Sequence, residues 1–281
     1  MKFPILFLLS LLLFSCDDPS LEDQNSDTNE VIEPVIELRQ LSSIQVATDL
    51  TTNITRSINF EYNNKELLSA ITETGSLNIN TIASYNNGNK LESLIINDNL
   101  MAPVSIVVTY GNDSSIQSVA TVELSYIDTT GNTITKALFT DIQNRFNRVL
   151  TTQTDLAGVV SQTEDLRLQY SQNFNVLRID KLNTNGIIQG YSEFTYNFNK
   201  NPFTDMNDII RLFMFDEFVP YSRFLPATRI DYDLSSGSAQ LERSVDYNYE
   251  LDAEGFPMSR ELIVTQGMMT STYFEFFNYR P

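Results

Sequence analysis

The chain has 281 residues, with 36 acidic and 18 basic side chains, one cysteine, and neither histidine nor tryptophan. That inventory excludes a Ser-His-Asp arrangement, a Cys-His pair, a His-ligated metal and an intrachain disulfide. A formal charge of −18 repels polyanions and argues against nucleic acid as a partner.

Lys2 is followed by an apolar run from Phe3 to Phe14, interrupted by Pro4 and Ser10. The run is too short to span a bilayer and has the length of a signal-peptide core. It ends at Leu13-Phe14-Ser15-Cys16, which resembles a bacterial lipobox; Phe14 is bulkier than the small residue usual at that place. The resemblance implies removal of residues 1–15 and lipidation of Cys16, which makes the membrane a partner through a lipid anchor. The mature chain would keep 17 of the 18 basic residues against all 36 acidic ones. Residues 16–37 carry Asp17, Asp18, Glu22, Asp23, Asp27, Glu30, Glu33 and Glu37, two prolines and no Lys or Arg. This reads as a solvated, self-repelling tether. Acidic residues just after the cysteine resemble the surface-export signals of Bacteroidetes-type lipoproteins, so the expected location is the cell envelope, as an outer-membrane lipoprotein.

Residues 38–281 read as a single β-repeat domain. Val245, Tyr247, Tyr249 and Leu251 alternate with Asp246, Asn248, Glu250 and Asp252, the period of a strand with one buried and one wet face. The same alternation recurs at Ile58-x-Phe60-x-Tyr62, Ile106-x-Val108-x-Tyr110, Val122-x-Leu124-x-Tyr126, Leu166-x-Leu168-x-Tyr170, Phe194-x-Tyr196-x-Phe198 and Ile230-x-Tyr232-x-Leu234. Polar clusters rich in Asn, Asp and Gly follow and suit tight hairpins.

In chain order, strands are expected over Leu38–Asp49, Ile58–Tyr62, Leu67–Glu73, Thr81–Tyr85, Leu91–Ile96, Ser105–Tyr110 and Ile116–Tyr126. Next come Ile134–Phe139, Phe146–Gln153, Leu166–Tyr170, Val176–Leu182 and Gly190–Phe198. The last four are Thr228–Leu234, Gln240–Leu251, Met258–Thr265 and Ser271–Phe277. Between 127 and 165 the tyrosine anchor is missing and the strand count is open. A helix is expected over about 204–215, capped by Thr204 or Asp205, with Met206, Ile209, Ile210 and Phe213 on its apolar face and Arg211 opposite. The expected fold is all-β: an antiparallel meander of repeated hairpins, curled or folded over, with one short helix covering part of the sheet.

Aromatic-x-Tyr, a polar turn and an apolar strand together resemble the YD or RHS-type repeat. More closely, Tyr196-Asn-Phe-Asn-Lys-Asn-Pro-Phe203 before a helix and Tyr247-Asn-Tyr-Glu-Leu-Asp-Ala-Glu-Gly-Phe-Pro257 resemble a group of Bacteroidetes-type lipoproteins of unknown function. The resemblance covers about residues 40–281. It implies an antiparallel meander on a lipid anchor with no established activity, and it carries over one functional residue, Cys16. The lipobox and the non-aromatic final Pro281 weigh against a transmembrane barrel.

No cofactor motif is present, and no catalytic residue is assigned. Asp216-Glu217 and Glu164-Asp165 are the obvious carboxylate clusters for a hydrolase, but neighbours in a strand point to opposite faces. Calcium is the metal to consider, at Asp231-x-Asp233 or Asp128-Thr-Thr-Gly-Asn132, neither spaced as an EF-hand loop. Tyr221 and Phe224 are aromatics outside the strand pattern. The function expected is a non-catalytic binding or scaffold module for an unknown glycan, matrix or protein partner; the alternative is a carboxylate-dependent envelope hydrolase.

Overall fold

A computed structural model describes residues 39–49, 53–75, 78–98, 102–111, 122–143, 145–204, 206–214 and 222–281. Cys16, the tether, Asp205, Phe215, Asp216, Glu217 and Tyr221 lie outside the described residues, as does the first half of the strand expected from Ile116.

Sixteen antiparallel strands follow one another around a closed barrel. They are β1 (Leu41–Ala47), β2 (Ile54–Tyr62), β3 (Leu68–Thr74), β4 (Ile79–Tyr85), β5 (Leu91–Asp98), β6 (Val104–Tyr110), β7 (Val122–Ile127) and β8 (Thr133–Thr140). The second half is β9 (Phe146–Thr154), β10 (Val160–Tyr170), β11 (Val176–Leu182), β12 (Ile188–Lys200), β13 (Phe224–Asp233), β14 (Gln240–Leu251), β15 (Pro257–Gln266) and β16 (Met269–Tyr279). A seven-residue helix, α1 (Asp208–Met214), lies between β12 and β13. The expected meander is therefore present and goes one step further: β1 pairs with β16, Ile44 opposite Phe277 and Val46 opposite Glu275. Closure leaves no raw sheet edge, which a long open meander would expose.

The hairpins repeat at residue level. Asn63, Asn86, Asp128, Asp155, Ser171, Asn183 and Asp252 each open a five-residue turn in which one side-chain oxygen accepts two backbone N–H groups, two and four residues on. The fourth turn residue takes positive φ: Gly131, Gly158, Gly186 and Gly255 in four copies, Glu66, Asn89 and Phe174 in three others. Glycine is the low-strain choice there.

The polarity of the wall decides what the barrel encloses. Ile58, Phe60, Leu94, Ile106, Leu124, Leu138, Val149, Leu166, Ile179 and Phe194 are buried and belong to one apolar cluster. That cluster also takes in Phe203, Met206, Ile209 and Ile210 from the α1 segment, so these strands face inward onto it. Their outward neighbours include Asn59, Glu61, Glu92, Glu123, Arg167, Glu193, Asp246, Asn248 and Glu250, all but Glu250 flanking buried strand residues directly. A barrel of sixteen strands has room for a lumen; here inward side chains and the α1 segment occupy it.

The helix differs from its expectation. It is shorter than 204–215 and starts at Asp208, where Asn207 caps it by accepting the Ile209 N–H. Thr204 instead donates its hydroxyl to Asn201 O. Arg211 is buried with Ile209 and Ile210 rather than facing water, and pairs with Asp208. Arg211 therefore lies with the apolar face, while the side chain of Asp208, three residues earlier, stays about half exposed.

Candidate functional site

The two ends of the barrel differ. At the end holding α1, even-numbered strands finish on an inward tyrosine whose phenol donates to a carbonyl of the strand before. Tyr85 reaches Leu68 O, Tyr170 Phe146 O, Tyr196 Val176 O, Tyr249 Pro226 O and Tyr279 Pro257 O, all at 2.7–2.9 Å. On β8, where the anchor is missing in sequence, the position holds buried Thr140. Lys90 stands over the ring of Tyr110, Arg145 over Tyr170, and Arg39 over Tyr279, contacts that favour the cation. Burial pushes Tyr85 up to about 12 and raises Tyr170, Tyr196 and Tyr279 as well.

At the far end, the inner wall turns polar. On β13 the sequence alternation makes Ile230 and Tyr232 the expected buried set. The structure reverses it: Asp231 is buried, opposite Ser192 on β12 and Arg243 on β14. Arg229 Nε donates to one Asp231 oxygen at 2.8 Å and Arg243 Nε to the other at 2.9 Å. Burial works against the charged form of Asp231, but the Ser192 hydroxyl and the two guanidinium groups outweigh it and hold the carboxyl below its ordinary range. Two cations sharing one carboxylate make an inward Asp tolerable. The signal was legible as Arg229-x-Asp231 with Arg243, opposite charges at strand spacing. A β-bulge between Asp231 and Tyr232 changes the register beside it.

Beside this cluster lies a cavity of about 470 Å³, lined by Lys181, Gly190, Ser192, Asp231, Asp233 and Glu242 among others. Register puts Lys181, Gly190 and Asp233 directly across from one another. Gly190 is required: a Cβ there would meet Tyr232 O at 2.7 Å. On the outer side of the same strands, Arg178 covers Tyr191 at 3.6 Å and Tyr191 stacks on Tyr232 at 4.7 Å.

The remaining sequence candidates fall as follows. Asp231 and Asp233 are near one another, but Asp231 faces arginines and Asp233 accepts from the Ser235 hydroxyl and N–H, which lower it. Neither carboxyl is raised, as a general acid at neutral pH needs to be. Asp128 Oδ1 accepts from the Thr130 N–H and hydroxyl and the Asn132 N–H of its own turn. Glu164 and Asp165 point apart: Glu164 receives the Thr151 hydroxyl, while Asp165 pairs with Arg148. Among the described residues no group of three or more acidic or sulfur side chains is placed to hold a metal. Phe224 lies at the start of β13, edge-on to Phe198.

No family model matches the chain, and no curated protein matches it. Solved structures do. A porin-like protein from Bacteroides uniformis superposes with a TM-score of 0.52 at 14% identity, covering 85% of this chain and 98% of that one. A porin-like protein from Bacteroides vulgatus gives 0.41 at 16% identity, over 86% and 99%. The first likeness is one of fold. It places the closed barrel, and not a curled open sheet, among known architectures.

Proposed function

We propose that this chain is a lipid-anchored, non-catalytic binding or scaffold protein of the cell envelope, whose barrel stands in water instead of crossing the bilayer. The observation that carries this is the polarity of the wall. Membrane-spanning barrels are apolar outside and polar within; the outward positions of this barrel are mostly polar, and its inner wall is apolar except at the far end. The lipobox-like Leu13-Phe14-Ser15-Cys16 supplies the anchor and the acidic stretch to residue 37 the tether. The outer membrane is the membrane proposed, supported by the fold likeness to a porin-like protein. The polar far end, with its cavity, is the surface offered for binding.

Palmitate labelling combined with alkaline carbonate extraction tests the reading. Wild-type protein is expected to take label and stay with membranes, while Cys16→Ala loses the label and is released. Neither should open conductance steps in a planar bilayer. A Cys16→Ala protein that resists carbonate, or wild-type protein that conducts, would make the chain a bilayer-spanning channel.

A further inference from the structure

We propose that the far end of the barrel docks on a zwitterionic phospholipid surface, its aliphatic rim entering the interface and the cavity beside it receiving a headgroup. This deepens the reading of a binding module and does not depend on the lipid anchor.

Three successive turns of that end carry exposed aliphatic side chains: Ile127 at 64%, Leu156 at 82%, Val159 at 62%, Val160 at 63% and Ile187 at 59%. The turns adjoin. A Cβ built on Gly131 would lie 3.3 Å from a Leu156 methyl, and Gln162 Nε2 donates to Asn183 O. Further round, Leu241, Met268 and Met269 continue the rim, with Met268 wholly exposed. Exposed apolar side chains gathered on adjoining turns mark a contact site.

Composition and charge choose the occupant. Protein-binding hot spots centre on Trp, Tyr and Arg, with Leu and Val under-represented; this rim is Ile, Leu, Val and Met. Its side chains stand as separate knobs on separate turns, which a fluid interface accepts without a matching shape. A second copy is opposed by charge, because two of these turns open on Asp128 and Asp155 and Asp233 begins the next one round, so that two such rims would bring carboxylates together. The cavity holds both signs: Lys181, with no ion pair among the described residues, and the carboxylates of Asp233 and Glu242. A zwitterionic headgroup presents a phosphate and an ammonium, the same pair reversed. An overall charge of −18 sets the protein against anionic lipid.

Flotation with phosphatidylcholine and phosphatidylethanolamine vesicles, using the mature chain carrying Cys16→Ser so that no acyl group contributes, tests this. The protein should float. Leu156→Asn, Ile187→Asn and Met268→Asn combined should weaken binding by at least about tenfold, since interfacial affinity follows apolar area. Lys181→Met should weaken it less, and phosphatidylglycerol vesicles should bind poorly. Ile142→Asn, equally exposed at the tyrosine end, should change nothing, and all variants should melt like the parent. A parent that does not float, a triple variant that floats as well as the parent, or tighter binding to phosphatidylglycerol would overturn the proposal. So would a triple variant that altered only self-association in sedimentation, which would assign the rim to a second copy.

Discussion

At the scale of single residues, the barrel is held at its tyrosine end by phenols and along its hairpins by carboxylates, and the two groups titrate in opposite senses. Tyr85, Tyr170, Tyr196 and Tyr279 sit above their ordinary value of 10.0. A folded phenol that grips its proton more tightly than the unfolded one weakens the fold as pH rises past 10, where the unfolded phenol ionises and the folded one does not. Below that pH both forms keep the proton, and the phenol's contribution there is its hydrogen bond alone. Asp128, Asp141, Asp231, Asp233 and Asp252 sit below their ordinary 3.8. Their contribution is full above that value and is lost as pH falls through the folded ones. For the phenols the linkage has the opposite sense, because the folded state must hold neutral a group that the unfolded state would ionise: stability is full below pH 10 and is lost as pH rises from there through the folded values. Calorimetry should therefore show a melting temperature that is level between about pH 5 and pH 9 and falls on both sides. Tyr170→Phe should cost about 1 kcal/mol at neutral pH and flatten the alkaline fall. An unchanged alkaline arm would mean that the phenols are not what limits stability there.

At the scale of elements, most strands were legible in sequence, because alternation and turn chemistry agree in most hairpins. Even the stretch from 127 to 165, which lacks its tyrosine, resolves into β8, β9 and the start of β10. What stayed hidden were departures from strict alternation. The bulge between Glu250 and Leu251 turns Leu251 toward solvent, at 38% exposure, although it follows buried Val245 and Tyr247 by strand spacing. On β13, inward charge defeats the rule that the apolar set is buried, and so the wall of the candidate cavity could not be read from hydrophobicity. The helix was found but the place of its arginine was not: a period of 3.6 marks one buried face, and Arg211 is buried with Ile209 and Ile210 although it falls off that face. That difference is measurable. Ile209→Asp should cost about 3 kcal/mol by burying an unpaired carboxylate. Arg211→Ala, harmless on an exposed face, should here cost about 1–3 kcal/mol by removing a charged hydrogen-bond partner from a buried place. Thermal melts of the two variants decide it; a silent Arg211→Ala would put that side chain in water.

At the scale of the whole molecule, the sequence could show a meander but not its closure, since no local signal ties residue 44 to residue 277. The seam is nonetheless specific. Asn278 Nδ2 donates to Ser43 Oγ at 3.0 Å, and the Arg280 N–H donates to Gln40 O at 2.9 Å. This seam joins two strands far apart in sequence. The sheet keeps two unpaired edges until β16 meets β1, and ring closure over so long a stretch is slow. Removing residues 269–281 should leave a sheet that cannot close and that aggregates, seen by light scattering. Rejoining the neighbouring ends through a short linker and opening the chain at the turn of Gly186 should give a permutant that folds and melts as the parent does. In that permutant β16 and β1 become neighbours in sequence, and the closing pair is β11 with β12. If it folds faster than the parent, the pairing of β16 with β1 is the slow step in forming this barrel.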